Sequence, residues 1–281
     1  NYSRLWSENF DDTFFIDGLA TWLKYGYVNH QLSYLKEVAP THRVMATEAG
    51  EVGRKVGEYI IKIKEIIGLF DTFCMGMING VFPQQAMIDI GMPIESLSQS
   101  ALLVEMAKVP DALREECVQW YENNGMTFKF GTDDKTELTR EQVKEQCAMM
   151  IAMARFVKRF GLTAVGVQYQ QGLKDCCPAS DFAEGAIGST ARFPLPDENG
   201  DIISPNTPIP CINEVDMGTA IPQTMLWRLL TSLGLPAETT LHDIRWGSEY
   251  QGTFYWDMEI SGSVPFEHLK GGIKGATGYR Q

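Results

Sequence analysis

Six polar side chains crowd into one stretch of this chain, from Ala164 to Leu226. Gln168 and Gln170 close the run AVGVQYQ, Asp181 and Glu184 open DFAEGAIG, and Glu214 and Asp216 follow IPCIN. Carboxylates are hard oxygen ligands for Mg²⁺ and Mn²⁺. They also move protons between adjacent carbons once the oxygens there are polarised. Neutral amides suit sugar hydroxyls, which need both donors and acceptors. Each position has a plainer reading as well. Asp181 and Glu184 have D-x-x-E capping-box spacing, in which Asp181 bonds a helix N–H and Glu184 reaches back. Asp216 precedes a helix and suits an N-cap. Gln168 and Gln170 can satisfy loop carbonyls, and as strand residues two apart they share a face, as do Glu214 and Asp216. Taken together, Glu184 and Asp216 sit on neighbouring strand-to-helix edges and can face one pocket. In α/β folds that edge is where ligands bind. No Walker, GxGxxG, GxSxG or HExxH motif competes with this reading.

The elements that must position these residues are legible in order. Asp12 to Val38 carries Leu19, Leu23, Leu32 and Leu35 at mixed helical spacing and reads as one or two helices before Pro40. HRVMAT is a strand candidate. Glu48 to Ile67 is a helix with one apolar stripe, and LFDTFCMGM the next buried strand, a β-α-β rhythm that favours a parallel sheet. Pro83 starts a short helix, and Gly91 with Pro93 stops it. Glu95 to Val109 reads as helix, as does Asp111 to Asn123, with Gly125 ending it. MTFKF alternates like a strand. Thr139 and Gln142 make a capping box for a long helix to Phe160, closed by Gly161. Its methionines (Met149, Met150, Met153) read as core filler. LTAVGVQYQ and IPCIN are strands, and Ala220 to Leu233 a helix. TLHDIRW and TFYWDMEI read as strands, and TFYWDMEI, alternating aromatic and polar residues, suits an antiparallel sheet. The expected architecture is α/β: a parallel-sheet, Rossmann-like domain over 1–160, then part of a mixed, strand-rich C-terminal domain over 161–281.

Composition narrows the function classes. The chain has 281 residues, 44% apolar and 21% charged, which suits a globular protein with a real core. A formal net charge of -12 repels a phosphate backbone, so nucleic acid is excluded as a partner. No apolar run is long enough for a bilayer, so no membrane partner is expected. Six scattered cysteines without CxxC spacing imply free thiols in a reducing cytoplasm. Four histidines, none near a cysteine pair, disfavour zinc. Asn1 opens without an initiator methionine and GGIKGATGYRQ closes without a terminal element, so the chain reads as a piece of a longer subunit.

GVQYQQ…DFAEGAI…NEVDMGTA resembles the L-fucose isomerase family and, more distantly, the L-arabinose isomerases. Upstream, FCMGMINGVFPQQ is similar to that family's R-M-G-M-Y-N passage, with Cys74 where arginine is common. Downstream, LHDIRW and EISGSVP resemble its D-V-R strand and S-G-S turn. The likeness runs from about Gly68 to Gly262. It implies a cytoplasmic aldose–ketose isomerase of trimeric or hexameric assembly, acting on a free sugar by an Mn²⁺- (or Mg²⁺-) assisted ene-diol mechanism. It implies Glu184 and Asp216 as metal ligands and proton shuttles, and Ser261 or Ser263 on the substrate side with Gln168 and Gln170. The family's third ligand is a histidine in an N-H-G-like segment, which this chain lacks. Either His268, in FEHLKGG, substitutes, or that histidine lies beyond Gln281, the reading the cut tail favours.

Two other classes fit the same residues. A non-catalytic carbohydrate-binding or scaffold relative would keep Gln168, Gln170, Trp246, Tyr255 and Trp256 without a working metal. A metal-dependent hydrolase or lyase would use the same carboxylates on another bond.

Overall fold

A computed structural model describes residues 13–27, 47–72, 80–170, 172–240, 243–259 and 263–279. The chain divides into two units, 1–50 and 51–281. In the first, helix α1 spans Thr13–Tyr25, within the helical stretch expected from spacing. The strand candidate HRVMAT lies almost wholly outside the described residues.

The second unit is built on a four-stranded parallel sheet. Helix α2 (Glu48–Ile63) stops before Lys64, whose φ of 66° is left-handed, and β1 (Ile67–Phe70) follows. After α3 (Gln84–Asp89) comes β2 (Ile94–Leu97), then α4 (Gln99–Lys108). The helix expected from Glu95 therefore starts later. Ser98 is the reason: its side chain accepts the Ser100 N–H and caps α4, leaving Ile94–Leu97 extended. Helix α5 (Asp111–Asn123) and the two-residue β3 (Thr127–Phe128) lead to α6 (Arg140–Phe160). Here the expected box forms: Thr139 Oγ accepts the Gln142 N–H, and Gln142 Oε1 accepts the Thr139 N–H. Gly161, at φ 64°, ends the helix. Then come β4 (Ala164–Val167), α7 (Asp181–Ile187), β5 (Cys211–Asn213) and α8 (Met217–Ser232).

The sheet order is β2-β1-β4-β5. Strands β4 and β5 lie beyond residue 160 yet complete the same sheet, so the expected boundary near 160 falls inside it. The side chains alternate, as a parallel sheet covered on both faces requires. Ile67, Leu69, Ala164 and Ile212 pack with Ile60, Met87 and Ala220 on one face. Phe70, Val165, Val167 and Cys211 pack with α4 to α7 on the other. Helix α6 is the hub of that second layer. Met149, Met150 and Met153 are all fully buried there, as expected for filler.

Outside the sheet, β6 (Asp243–Tyr250) and β7 (Thr253–Glu259) form an antiparallel hairpin, which gives TFYWDMEI the antiparallel pairing expected of it. Gln251 and Gly252, both with positive φ, make its two-residue turn. A final strand β8 (Thr277–Gly278) pairs in parallel with β3. Among the described residues no helix is long and apolar enough to cross a membrane, and Cys117, Cys147, Cys176, Cys177 and Cys211 are free thiols.

Candidate functional site

The parallel register aligns Val167 with Asn213, so everything after β4 and β5 gathers at one carboxyl edge of the sheet. Strand order reverses between β1 and β4, the place where a crevice opens in doubly wound sheets.

Glu184 is buried at this edge, only 1% exposed. Its helix is fixed by three neighbours. Gln146 of α6 accepts the Ala183 N–H at 3.0 Å. The Tyr121 ring meets Phe182 edge-on at 5.0 Å. Gly185 leaves no space for a Cβ, which would lie 2.7 Å from the Val264 carbonyl. Ser180 is the N-cap residue and makes no side-chain cap bond. The capping box expected from D-x-x-E does not form. Instead, Ser180 Oγ donates to Glu184 Oε1 at 2.5 Å and Asn213 Nδ2 donates to Glu184 Oε2 at 2.6 Å. Two neutral donors hold the carboxyl, and among the described residues no lysine, arginine or histidine pairs with it.

The electrostatics follow. Burial pushes Glu184 up to about 8, assisted by the nearby Asp181 and Glu214 charges and opposed by the Ser180 and Asn213 hydrogen bonds. Burial raises Asp181 to about 6, with Glu214 adding to it. The Tyr169 phenol is raised too, by burial and then by Asp181, Glu214 and Glu184. Tyr169, Asp181, Glu184 and Glu214 thus form one electrostatic cluster.

Asp216 takes the plainer of its two expected roles. It is the N-cap of α8, its carboxylate accepting the Gly218 N–H at 3.3 Å. Glu214 and Asp216 do not share a face, because the segment is not extended. Strand β5 ends at Asn213, and Glu214 and Val215 are both left-handed, at φ 53° and 54°. The turn sends Glu214 towards Gln170, whose Nε2 donates to Glu214 Oε1. Gln168 and Gln170 separate as well. Gln168 is fully buried, its N–H on Phe70 O and its carbonyl accepting from Gln99. Gln170 is half-buried in the following turn.

Ser263 is buried, and its backbone packs against Gly185, one residue from Glu184. Ser261 lies outside the described residues. His268 is exposed on the 3-10 turn Phe266–His268. That turn is fastened beyond the C-terminal end of α7, where Ser189 Oγ accepts the Phe266 N–H at 2.8 Å. His268 therefore does not join Glu184. Among the described residues no three His, Cys, Asp or Glu side chains form a metal-holding group. The donors that are present do suit a hard divalent cation in kind: they are all oxygen, and Gln170 Oε1 is buried without a partner beside Glu214.

A cleft of about 1020 Å³ opens next to the cluster, lined by Tyr169, Asp181, Phe182, Glu145 and Tyr279 among others. Glu184, Gln170 and Asp216 are not in its lining, so Asp181 and Tyr169 form the border between cleft and cluster. Asn213, Ser180 and Tyr169 are the site residues that motif reasoning missed. A polar residue closing the apolar strand of IPCIN was the available signal for Asn213. Neither protein-family models nor curated proteins give a match to this chain.

Proposed function

We propose that this chain is an aldose–ketose isomerase, acting on a free sugar such as L-fucose or L-arabinose. The observation that supports it is the state of Glu184: a fully buried carboxyl, held by neutral donors beside two other acids, and raised to about 8. Isomerisation moves the C2 proton of the aldose to C1 and the O2 hydroxyl proton to O1. A group that performs this must both take and return a proton near neutral pH, and a carboxyl raised into that range can. Ser180 and Asn213 each hold one carboxyl oxygen, which fixes the orientation of the group. Asp216 and Asp181 supply further carboxylates at the same sheet edge, while Gln168, Gln170 and Ser263 stand near as hydroxyl partners. Glu184 and Asp216 would hold a divalent cation such as Mn²⁺ or Mg²⁺, which would supply Lewis-acid polarisation. The resemblance to the fucose isomerases supports the same assignment and carries with it a homo-oligomer in the cytoplasm.

The test is ketose formation from L-fucose, L-arabinose and related aldoses with Mn²⁺ present. Ketose appears with the wild type, and Glu184→Gln lowers the rate at least 100-fold with the fold intact by circular dichroism. Equal rates for both proteins would sink the proposal. The exposure of Tyr255 (54%) and Trp256 (63%) favours a second reading, carbohydrate binding without catalysis. Sugar binding that a chelator leaves unchanged, with no ketose formed, would select it.

A further inference from the structure

In the Asn213–Asp216 turn, sequence and backbone disagree. The Asp216 N–H bonds the Asn213 carbonyl at 3.2 Å, and the two residues between them have φ values of 53° and 54°. Turns with two consecutive left-handed residues favour Asn-Gly or Asp-Gly. Here the pair is Glu-Val, and a β-branched residue with positive φ is costly. Val215 is also only 2% exposed, packed in the cluster that includes Ile212, Met217 and Ala220. Its side chain is thus anchored in the core while its backbone is strained. Local rules broken at one point, where the surroundings overdetermine the conformation, mark a position under functional constraint.

We propose that Val215 is a positioning residue, and that its left-handed turn makes Glu214 a working carboxylate of the site while assigning Asp216 to the α8 cap. An extended continuation of β5 would put Glu214 and Asp216 on one face. The turn separates them instead: Glu214 reaches Gln170 and acts on Asp181 and Glu184, and Asp216 takes the Gly218 N–H. This stands on backbone geometry and one hydrogen bond, and does not depend on the isomerase assignment.

Two readouts test it without any activity assay. The first is the sign of a stability difference. At ordinary φ, alanine is more stable than glycine; at left-handed φ the order inverts. Val215→Gly and Val215→Ala both lose the core contacts, so their difference isolates the backbone. Val215→Gly should melt about 2 °C or more above Val215→Ala. The pair Glu214→Gly and Glu214→Ala repeats the comparison outside the core, and decides the sign if a Val215 variant fails to fold. The second readout is the Gln170 side-chain amide resonance, assigned by its loss in Gln170→Ala. It should be shifted and slow to exchange in the wild type, in Val215→Gly and in Glu214→Gln, and should return to the free-glutamine position in Glu214→Ala. Alanine above glycine at both positions would overturn the turn. A free-like Gln170 amide in the wild type would overturn the assignment of Glu214.

Discussion

Two of the buried glutamates of this protein, each 1% exposed, lie at opposite ends of one sheet. Glu65 sits at the amino edge, two residues before β1. Arg228 of α8 donates to one of its oxygens, and Thr163, just before β4, donates to the other at 2.5 Å. Glu184 sits at the carboxyl edge, where two neutral side chains reach its oxygens and the nearest charges are acids. Burial is the same; the settlement of the charge is opposite. A buried carboxylate with an arginine ties elements together, here α8 to the ends of β1 and β4. A buried carboxylate without one works against the fold, and such groups persist where chemistry needs them. The same protein therefore settles one buried residue type in two ways.

The comparison can be broken from either end. The largest loss should come from Arg228→Ala, which leaves Glu65 buried with only Thr163. Removing one partner of a buried pair costs roughly 3–5 kcal/mol, and urea denaturation would read it; a cost under ~1 kcal/mol would put Glu65 and Glu184 in the same class. Asn213→Ala should come next, at roughly 1–3 kcal/mol for a buried acceptor left without its donor. This cost should be larger above pH 8 than at pH 6, because the lost hydrogen bond favours the charged form of Glu184. Asp216→Ala should be the smallest, about 0.5–2 kcal/mol for a lost N-cap; a cost as large as that of Arg228→Ala would break the order.

Much of the frame was legible in the sequence, because its signals are local. Thr139, Gln142 and Gly161 bracket α6, and alternating aromatic and polar residues mark β7. Strand β2 was hidden because Ile94–Leu97 runs directly into α4, with only Ser98 to mark the change. The site was legible as a cluster and not as an arrangement. D-x-x-E spacing is identical whether Glu184 caps a helix or is buried, and only the tertiary placement of Asn213 decides. Likewise E-V-D carries no turn signal, so the split between Glu214 and Asp216 follows from Val215 packing into the core, which no local pattern encodes. His268 matched a ligand by type alone, and its turn is held by Ser189 on the far side of α7.

The central claim is that Glu184 is held against the interest of the fold. Its carboxyl is raised from the ordinary value to about 8, so the folded state binds a proton that the unfolded state releases between about pH 4.5 and 8. Stability then falls as pH rises through that window. Glu184→Gln removes the titrating group while keeping its shape. The direct measurement is the unfolding free energy of wild type and Glu184→Gln from pH 5 to pH 9. Glu184→Gln should gain on the wild type steadily with pH, by on the order of a few kcal/mol at pH 8 to 9. A Glu184→Gln protein equal to or less stable than the wild type at pH 9 would contradict the account.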